Sequence, residues 1–230
     1  MPDKSATIYL FILTANEEQR QAQALSSMIE ESCQPLAKVV ALVHYQSFVT
    51  NHSIKDNAFV RMVLNCPVIY LSGNMVLPEQ QSQKLLFTER LEDSKWHHWQ
   101  NQGRDFLNGA NYYIKEGSIN AALFSLHQSA ECLLTAIIKA VLGYRVSSHN
   151  LSILLRLTQM FTADLSQVFN LNDDASMHIF EMLKHAYVNV RYKDTFLVDK
   201  QSVITLAAII TNLEEKVSQV YQSYLLRNTL

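Results

Sequence analysis

An apolar stretch from Ser118 to Leu142 constrains the fold of this chain more than any other part of the sequence. It contains no proline, is much longer than a strand, and lies between Gly117 and Gly143. These features predict one long helix, with the Ser118 hydroxyl able to accept a hydrogen bond from a free N–H group of the first turn. Apolar residues occupy most of its circumference, which is typical of a helix at the centre of a bundle or between subunits.

Three polar residues interrupt this helix: His127, Gln128 and Glu131. Their spacings of one, three and four residues place them on one helical face, where burial is expected. A buried polar group without a partner costs roughly 1 to 3 kcal/mol by mutational estimates. We therefore expect either a neighbouring helix or a ligand to supply their partners.

Composition limits the class of protein. The chain has 230 residues, 48% of them hydrophobic, which is enough for one or two domains with their own cores. The net charge of −2 gives no general argument for binding nucleic acid or an anionic membrane. Ile8–Leu13 is too short an apolar run to cross a bilayer, and the first residues do not resemble a signal peptide. We expect a cytoplasmic protein with no membrane contact, reduced cysteines and no cofactor.

The distribution of proline suggests a domain boundary, because all four prolines lie before residue 79. Residues 1–78 are predicted to form a small α/β domain with a parallel pair of strands. The expected elements are buried strands at Ile8–Leu13 and Val39–Val43, a third strand at Val68–Leu71, and helices at Glu17–Ser32 and Ala58–Leu64.

Residues 79–230 show helical periodicity throughout. The predicted fold class is α+β, mainly α, in which the small domain precedes an up-and-down helical bundle. The expected helices are Gln80–Glu116, the central helix, Leu151–Phe161, a helix that begins at the Asn172–Asp174 capping cluster and ends near Arg191, and a last helix from about Lys200 to Tyr224. The last two helices each carry an apolar stripe that should face the core. The stripes are Met177, Phe180, Leu183, Ala186, Tyr187 and Val190 on the first of them, and Val203, Leu206, Ile210, Leu213 and Val217 on the second.

Three segments of this bundle, in order, resemble motifs of the HEPN domain family. Ala121–Glu131 resembles the "AAF-LHQAAE" helix, Ser148–Leu151 the "H-[DN]-L" entry to the next helix, and Ala186–Lys193 the "AYV-ARYK" segment. The resemblance covers roughly residues 95 to 225. It implies a HEPN bundle, pairing of two copies as a homodimer, and polar faces that meet about a shared cleft.

The first domain resembles the second half of a nucleotidyltransferase domain that often precedes HEPN in one chain. Nucleotidyltransferases of that family use a Gly-Ser pair for the nucleotide phosphates and an Asp-x-Asp pair for two metal ions. The only Gly-Ser pair here is Gly117-Ser118, inside the predicted bundle, and the sequence contains no Asp-x-Asp. We therefore expect a truncated, degenerate nucleotidyltransferase-like domain that does not transfer nucleotides.

Many HEPN domains are ribonucleases, and the resemblance implies an arginine that is followed by a histidine within about two helical turns. The arginine would bind the scissile phosphate and the histidine would transfer a proton. The arginine here is Arg191, but the residues from Tyr192 to Leu197 include no histidine. Ribonuclease activity by this mechanism is not expected, and no catalytic residue is assigned.

The predicted ligand-binding residues combine charge with aromatic rings. An arginine can bind a phosphate with two hydrogen bonds, a tyrosine can stack on a base, and a lysine adds a second cation. The candidates are Arg191, Tyr192, Lys193, His127, Gln128, Glu131 and His149. The alternative interpretation is structural: Glu131 would pair with Arg191, His127 would bond a backbone carbonyl, and the residues around His149 would cap the next helix.

Three functions remain open from the sequence. The first is a non-catalytic HEPN protein, a homodimer, that binds a nucleotide or RNA. The second is an interaction module that partners a nucleotidyltransferase in a toxin–antitoxin arrangement. The third is a ribonuclease that uses His127 or His149 in place of the missing histidine. His178, Glu181 and His185 share one helical stripe but lack a fourth ligand, so no metal site is predicted.

Overall fold

The computed structural model describes residues 7–51, 58–72, 93–143, 148–171, 173–193 and 196–227. The chain divides into two compact units, Met1–Leu86 and Phe87–Leu230. The boundary that the sequence predicts, after Pro78, lies outside the described residues.

The first unit contains a pair of parallel strands, as the sequence predicts. Strand β1 is Ile8–Thr14 and strand β2 is Val39–Tyr45, with Ile8 paired to Val39 and Thr14 to Tyr45. Helix α1, Ala22–Cys33, connects them. The connection places a helix between two neighbouring parallel strands, which is a βαβ unit.

Three details of this unit differ from the sequence prediction. Helix α1 begins at Ala22 rather than Glu17, because Glu18 bonds both the backbone N–H and the guanidinium of Arg20 in the preceding turn. The strand predicted at Val68–Leu71 is wrong: these residues are irregular and exposed. Burial also differs, since β2 is buried over Val39–Val43 but β1 is half-exposed.

Two further helices follow β2. The sequence did not predict helix α2, Gln46–Asn51. Helix α3, Ala58–Leu64, has the predicted bounds. A small core forms between residues of these two helices, Val49, Val60 and Leu64. The side chains of Leu13 and Phe48 pack against it.

The second unit is a bundle of helices, which confirms the predicted fold class. Its central helix is α5, and the predicted helices all have counterparts, although the part of the first one before Asp93 lies outside the described residues. The bounds are α4 Asp93–Lys115, α5 Ile119–Leu142, α6 Leu151–Thr158, α7 Asp164–Gln167, α8 Asp174–Tyr192 and α9 Lys200–Arg227.

Helix α5 packs against α4, α6, α8 and α9. It is the one helix among the described residues that is long and apolar enough to cross a membrane, yet most of it is buried inside the protein, as in the core helix of a soluble bundle. The helix ends at Gly143, whose φ of 65° is the left-handed conformation that favours glycine. The predicted Ser118 cap is wrong, because that side chain makes no capping hydrogen bond.

The other helices turn apolar stripes toward α5. On α9, Val203, Leu206 and Ile210 are buried as predicted. On α8, Phe180, Leu183 and Ala186 are buried, but Met177, which the sequence placed inside, is exposed. Asp173 caps α8 by accepting a hydrogen bond from the Ser176 N–H, as the acidic cluster predicts.

Candidate functional site

The Glu131 carboxylate is the polar centre of the bundle. Its Oε1 atom lies 2.8 Å from Nδ1 of His149, and its Oε2 atom accepts a hydrogen bond from Gln128 at 3.3 Å. Oε2 also lies 3.6 Å from Nε2 of His127. Residues three and four positions apart on a helix lie side by side, so α5 itself brings His127 and Gln128 to Glu131. The structure thus joins four of the predicted site residues.

His127 is fully buried, with 0% of its side chain exposed. Its Nδ1 atom lies 2.9 Å from the carbonyl oxygen of Leu183 on α8, which agrees with the structural interpretation of this histidine. Its Nε2 atom has no hydrogen-bond partner and points toward Glu131. His127 therefore ties α5 to α8 from inside the bundle.

His149 stands at the surface, where 62% of its side chain is exposed. It precedes α6, whose first turn Asn150 caps by accepting a hydrogen bond from Ser152. This cap fixes the backbone beside His149, so that its ring can reach Glu131. The histidine ring also lies parallel to the ring of Tyr187, with an angle of 5° and 5.3 Å between their centres.

Tyr187 is the aromatic centre of the site. In addition to His149, its ring contacts Phe124 at 6.1 Å and His127 at 5.8 Å between ring centres. The Arg191 guanidinium carbon lies 4.9 Å from the centre of the same ring. Sequence reasoning assigned Tyr187 to the apolar core and missed this role. The four-residue spacing from Tyr187 to Arg191 could have indicated it.

Arg191, Tyr192 and Lys193 lie exposed at the end of α8. The guanidinium carbon of Arg191 also lies 5.0 Å from the centre of the Tyr192 ring. The Arg191 side chain therefore contacts two tyrosine rings, those of Tyr187 and Tyr192. Within the described part of the chain, Arg191 forms no ion pair. The Glu131–Arg191 pair of the structural interpretation is absent, because Glu131 contacts His127 and His149 instead.

The surroundings shift the pKa values of two neighbouring groups on α5. Burial alone would raise the pKa of Glu131, but its contacts with His127 and His149 outweigh burial, so the pKa lies below the ordinary value. Burial and the adjacent Glu131 carboxylate raise the pKa of the Cys132 thiol to about 12. Cys132 is therefore protonated at neutral pH and is not a nucleophile.

The lowered pKa of Glu131 predicts a pH dependence of stability. A carboxyl whose pKa is lower in the folded state stabilises the fold above its unfolded pKa, ordinarily 4.5, and loses that contribution as the pH falls through the folded pKa. We expect Glu131→Gln to lower the free energy of unfolding by about 1–2 kcal/mol at pH 6. The difference from wild type should shrink below pH 4.5, as measured by urea denaturation.

The control for this experiment is Glu215→Gln, which removes the same charge from an exposed position on α9. This variant should follow the wild-type pH profile. A constant difference between Glu131→Gln and wild type from pH 6 to about pH 3 would contradict the assigned role of the carboxylate.

The stripe of His178, Glu181 and His185 lies on helix α8. Glu181 pairs with Lys184 and with His185 on the partly exposed side of α8. The described residues contain no group of three histidine, cysteine, aspartate or glutamate side chains placed to hold a metal ion. The ion pairs of Glu181 and His185 are those of a solvated helix face.

A protein-family model described as the HEPN domain matches residues 96–220, more than half of the chain. No curated protein matches. A solved structure, the crystal structure of TT1696 from Thermus thermophilus, is 19% identical, with a TM-score of 0.42; the alignment covers 54% of this chain and 97% of that chain. The family match extends from α4 into α9 and includes every residue of the site described above.

Proposed function

The chain belongs to the HEPN domain family, and from this premise we propose that its bundle binds a nucleotide or single-stranded RNA without converting it. HEPN membership indicates a nucleotide- or RNA-related function or an interaction module. We place the binding surface at His149, Tyr187, Arg191, Tyr192 and Lys193, and call it the Arg191 surface. The observation that carries the proposal is an exposed arginine that lies against two tyrosine rings and pairs with no carboxylate of the described residues.

The exposed guanidinium of Arg191, stacked on aromatic rings, suits a phosphate ligand. Guanidinium groups stack on aromatic faces and keep their N–H groups at the edge of the plane, where they can bond two phosphate oxygens. Tyr187 and Tyr192 supply such faces here. Lys193, the next residue but one, adds a second exposed cation. A local concentration of positive charge attracts an anion even though the whole chain carries a net charge of −2.

Exposed rings supply the second element of nucleotide recognition. Tyr192 is 66% exposed, and His149 has a ring face that the parallel Tyr187 ring does not cover. Stacking of a base on an aromatic side chain contributes about 1–3 kcal/mol and tolerates any base. Cations beside exposed rings therefore favour single-stranded nucleic acid or free nucleotides over a duplex.

The sequence favours binding of a nucleotide or RNA without catalysis. It contains neither the Asp-x-Asp pair of nucleotidyltransferases nor a histidine in the two turns after Arg191. Of the two histidines in the ribonuclease alternative, His127 is fully buried and cannot reach RNA, whereas His149 is exposed. We therefore keep cleavage by His149 as an outcome to be tested in the binding experiment.

A second candidate function, the interaction module, is favoured by apolar side chains near the same surface. Val188 is 51% exposed and Leu197 is 90% exposed, on either side of Tyr192. Contiguous patches of exposed apolar side chains are typical of protein-binding surfaces. The partner would be a second copy, as in the homodimer that the resemblance implies, or a nucleotidyltransferase in a toxin–antitoxin arrangement.

The Arg191→Ala variant tests the proposed function. We expect it to bind a fluorescein-labelled eight-nucleotide RNA about ten- to hundredfold more weakly than wild type, because a charge-assisted phosphate contact contributes about 1.5–3 kcal/mol. Fluorescence polarisation at fixed ionic strength measures the affinity. Gel electrophoresis of the same RNA after incubation shows whether the wild-type chain cleaves it, and intact RNA is expected.

The matched control is Arg104→Ala, which removes another exposed arginine from the bundle, one that pairs with Glu214. Its affinity for the RNA should equal that of wild type. Melting temperatures of both variants separate binding from folding, because Arg191 in the last turn also stabilises α8 through the helix dipole, by about 0.3–1 kcal/mol. Equal affinity of Arg191→Ala and wild type would reject the Arg191 surface and leave the interaction module.

A further inference from the structure

Helix α5 is enclosed by its neighbours except along one stripe. Beyond its first two residues, the residues of α5 that are not buried are Ala121, Phe124, Gln128, Glu131 and Lys139. At 3.6 residues per turn, these positions fall within an arc of about 80°. The central helix is therefore partly exposed on one side, at intervals from its first turn to its last.

The two ends of this stripe carry the same kind of contact, a cation on an aromatic ring. Near the start of α5, Phe124 packs against Tyr187, and the Arg191 guanidinium lies against the same tyrosine ring. Near the end of α5, Nζ of Lys139 lies 3.9 Å from the centre of the Trp99 ring of α4. Lys139 and Trp99 are both partly exposed, and we call them the Trp99–Lys139 cluster.

Helix α5 fixes the distance between the cluster and the Arg191 surface. Phe124, which contacts Tyr187 of that surface, and Lys139 are about 22 Å apart along the axis at a rise of 1.5 Å per residue. Thr135 lies between them on the same stripe and is buried, so the two places are separate contact sites. Because α5 packs against four other helices, a ligand should meet this separation unchanged.

The separation of the two sites selects the length of the ligand. A free nucleotide can occupy one site only. A strand with stacked bases advances about 3.4 Å per nucleotide, so 22 Å corresponds to about six or seven nucleotides. We propose that the ligand is a single-stranded RNA that bridges both sites, with one phosphate on Arg191 and another on Lys139. The inference rests on the proposed function, because the Arg191 surface supplies the first of these contacts.

The chemistry of the cluster fits a phosphate contact. An ammonium group carries three N–H donors, more than a single partner can use, and the Trp99 ring holds the Lys139 charge at the surface by a cation–π contact. The alternative role is structural, because Lys139 lies in the last turn of α5, where a positive charge stabilises the helix. The length dependence of binding distinguishes the two roles.

The middle of the stripe limits how the strand can lie. Glu131 repels a phosphate, whereas its carboxylate and the Gln128 carbonyl can accept hydrogen bonds from the amino groups of bases. A strand that crosses this part of α5 should therefore turn its bases toward the helix and its phosphates away from it. The phosphates then reach protein cations only at the two ends.

The experiment compares the fluorescein-labelled eight-nucleotide RNA with a labelled dinucleotide, which cannot bridge the sites. Lys139→Gln removes the charge and keeps a long polar side chain. We expect it to bind the eight-nucleotide RNA about fivefold more weakly at 0.1 M salt. The slope of log affinity against log salt concentration should become shallower by about 0.7, because one phosphate contact is lost. Its affinity for the dinucleotide should equal that of wild type, whereas Arg191→Ala should bind both RNAs more weakly.

Two further variants serve as controls. Lys139→Arg keeps the charge and should bind the eight-nucleotide RNA within about twofold of wild type. Lys216→Gln removes another partly exposed lysine, one on α9 that bonds Gln219, and should have the wild-type affinity and salt slope. Melting temperatures show that each variant is folded, and sedimentation velocity gives its oligomeric state.

The outcomes separate this inference from the proposed function. If Arg191→Ala weakens binding but Lys139→Gln leaves the affinity and the salt slope unchanged, the bridging strand is overturned and the proposed function stands. Equal losses of Lys139→Gln for both RNAs would also overturn it, since a bridging contact needs the longer strand. A changed oligomeric state of Lys139→Gln would assign the cluster to an interface between copies and overturn the inference. Absence of binding of either RNA to wild type would reject the proposed function and the bridging strand together.

Discussion

Replacing Leu133 with alanine is expected to lower the free energy of unfolding by about 2–5 kcal/mol. Leu133 is fully buried in the middle of α5, where α4 and α5 approach closely. Gly103 on α4 permits this approach, and the Ser129 hydroxyl donates a 2.8 Å hydrogen bond to the Gly103 carbonyl. Removing the leucine leaves a cavity that the two helices cannot close without breaking this contact. Urea denaturation followed by circular dichroism measures the change.

A double-mutant cycle tests whether Gly103 and Leu133 share this space. A Cβ atom on Gly103 would lie 2.9 Å from Cγ and 3.0 Å from Cδ2 of Leu133, so Gly103→Ala should destabilise the wild type by about 1–3 kcal/mol. In the Leu133→Ala background the leucine atoms are gone and the added methyl group partly fills the cavity, so the loss should be smaller. Additive effects of the two substitutions would contradict the assigned contact.

Gly109 on α4 provides the control for this cycle. A Cβ atom there meets nothing within 4 Å, and the residue lies in the same helix. Gly109→Ala should therefore stabilise the protein by up to about 1 kcal/mol, because alanine is the better helix former. The changes in the free energy of unfolding should therefore have opposite signs at Gly103 and Gly109, which distinguishes an effect of packing from one of helix propensity.

The second large effect is expected at His127. We expect His127→Ala to lower the free energy of unfolding by about 2–4 kcal/mol, because it removes the bond to the Leu183 carbonyl, deprives Glu131 of a partner and leaves a cavity between α5 and α8. Thermal and urea denaturation at pH 7 measure the loss.

His97→Ala is the matched control, since His97 is an exposed histidine of α4. A change within about 0.5 kcal/mol is expected for it. A similarly small change for His127→Ala would show that the buried ring contributes little to the fold, and the network around Glu131 would then not hold His149 in place.

Much of the fold could be predicted because its signals are local. An apolar circumference and a glycine at its end were sufficient to identify α5, and the acidic cluster before α8 identified its cap. The strand expected at Val68–Leu71 shows the limit of such signals. Four apolar residues have the composition of a strand, but a strand exists only when another strand pairs with it, and pairing is a long-range property.

The site was less predictable than the fold. The spacing of His127, Gln128 and Glu131 placed them together because one helix carries all three. The contact between Glu131 and His149 depends on how the residues after Gly143 return to α5, which no spacing encodes. Tyr187 was assigned to the core because its position on α8 fits the apolar stripe; only packing shows that it contacts two histidines and an arginine.

The four-sided enclosure of α5 also determines how the bundle opens. Because α4, α6, α8 and α9 all cover this one helix, detaching any of them exposes apolar surface that the remaining three cannot shield. Partial opening is therefore unfavourable, and the bundle should unfold as one cooperative unit in which the amide hydrogens of α5 exchange with solvent last.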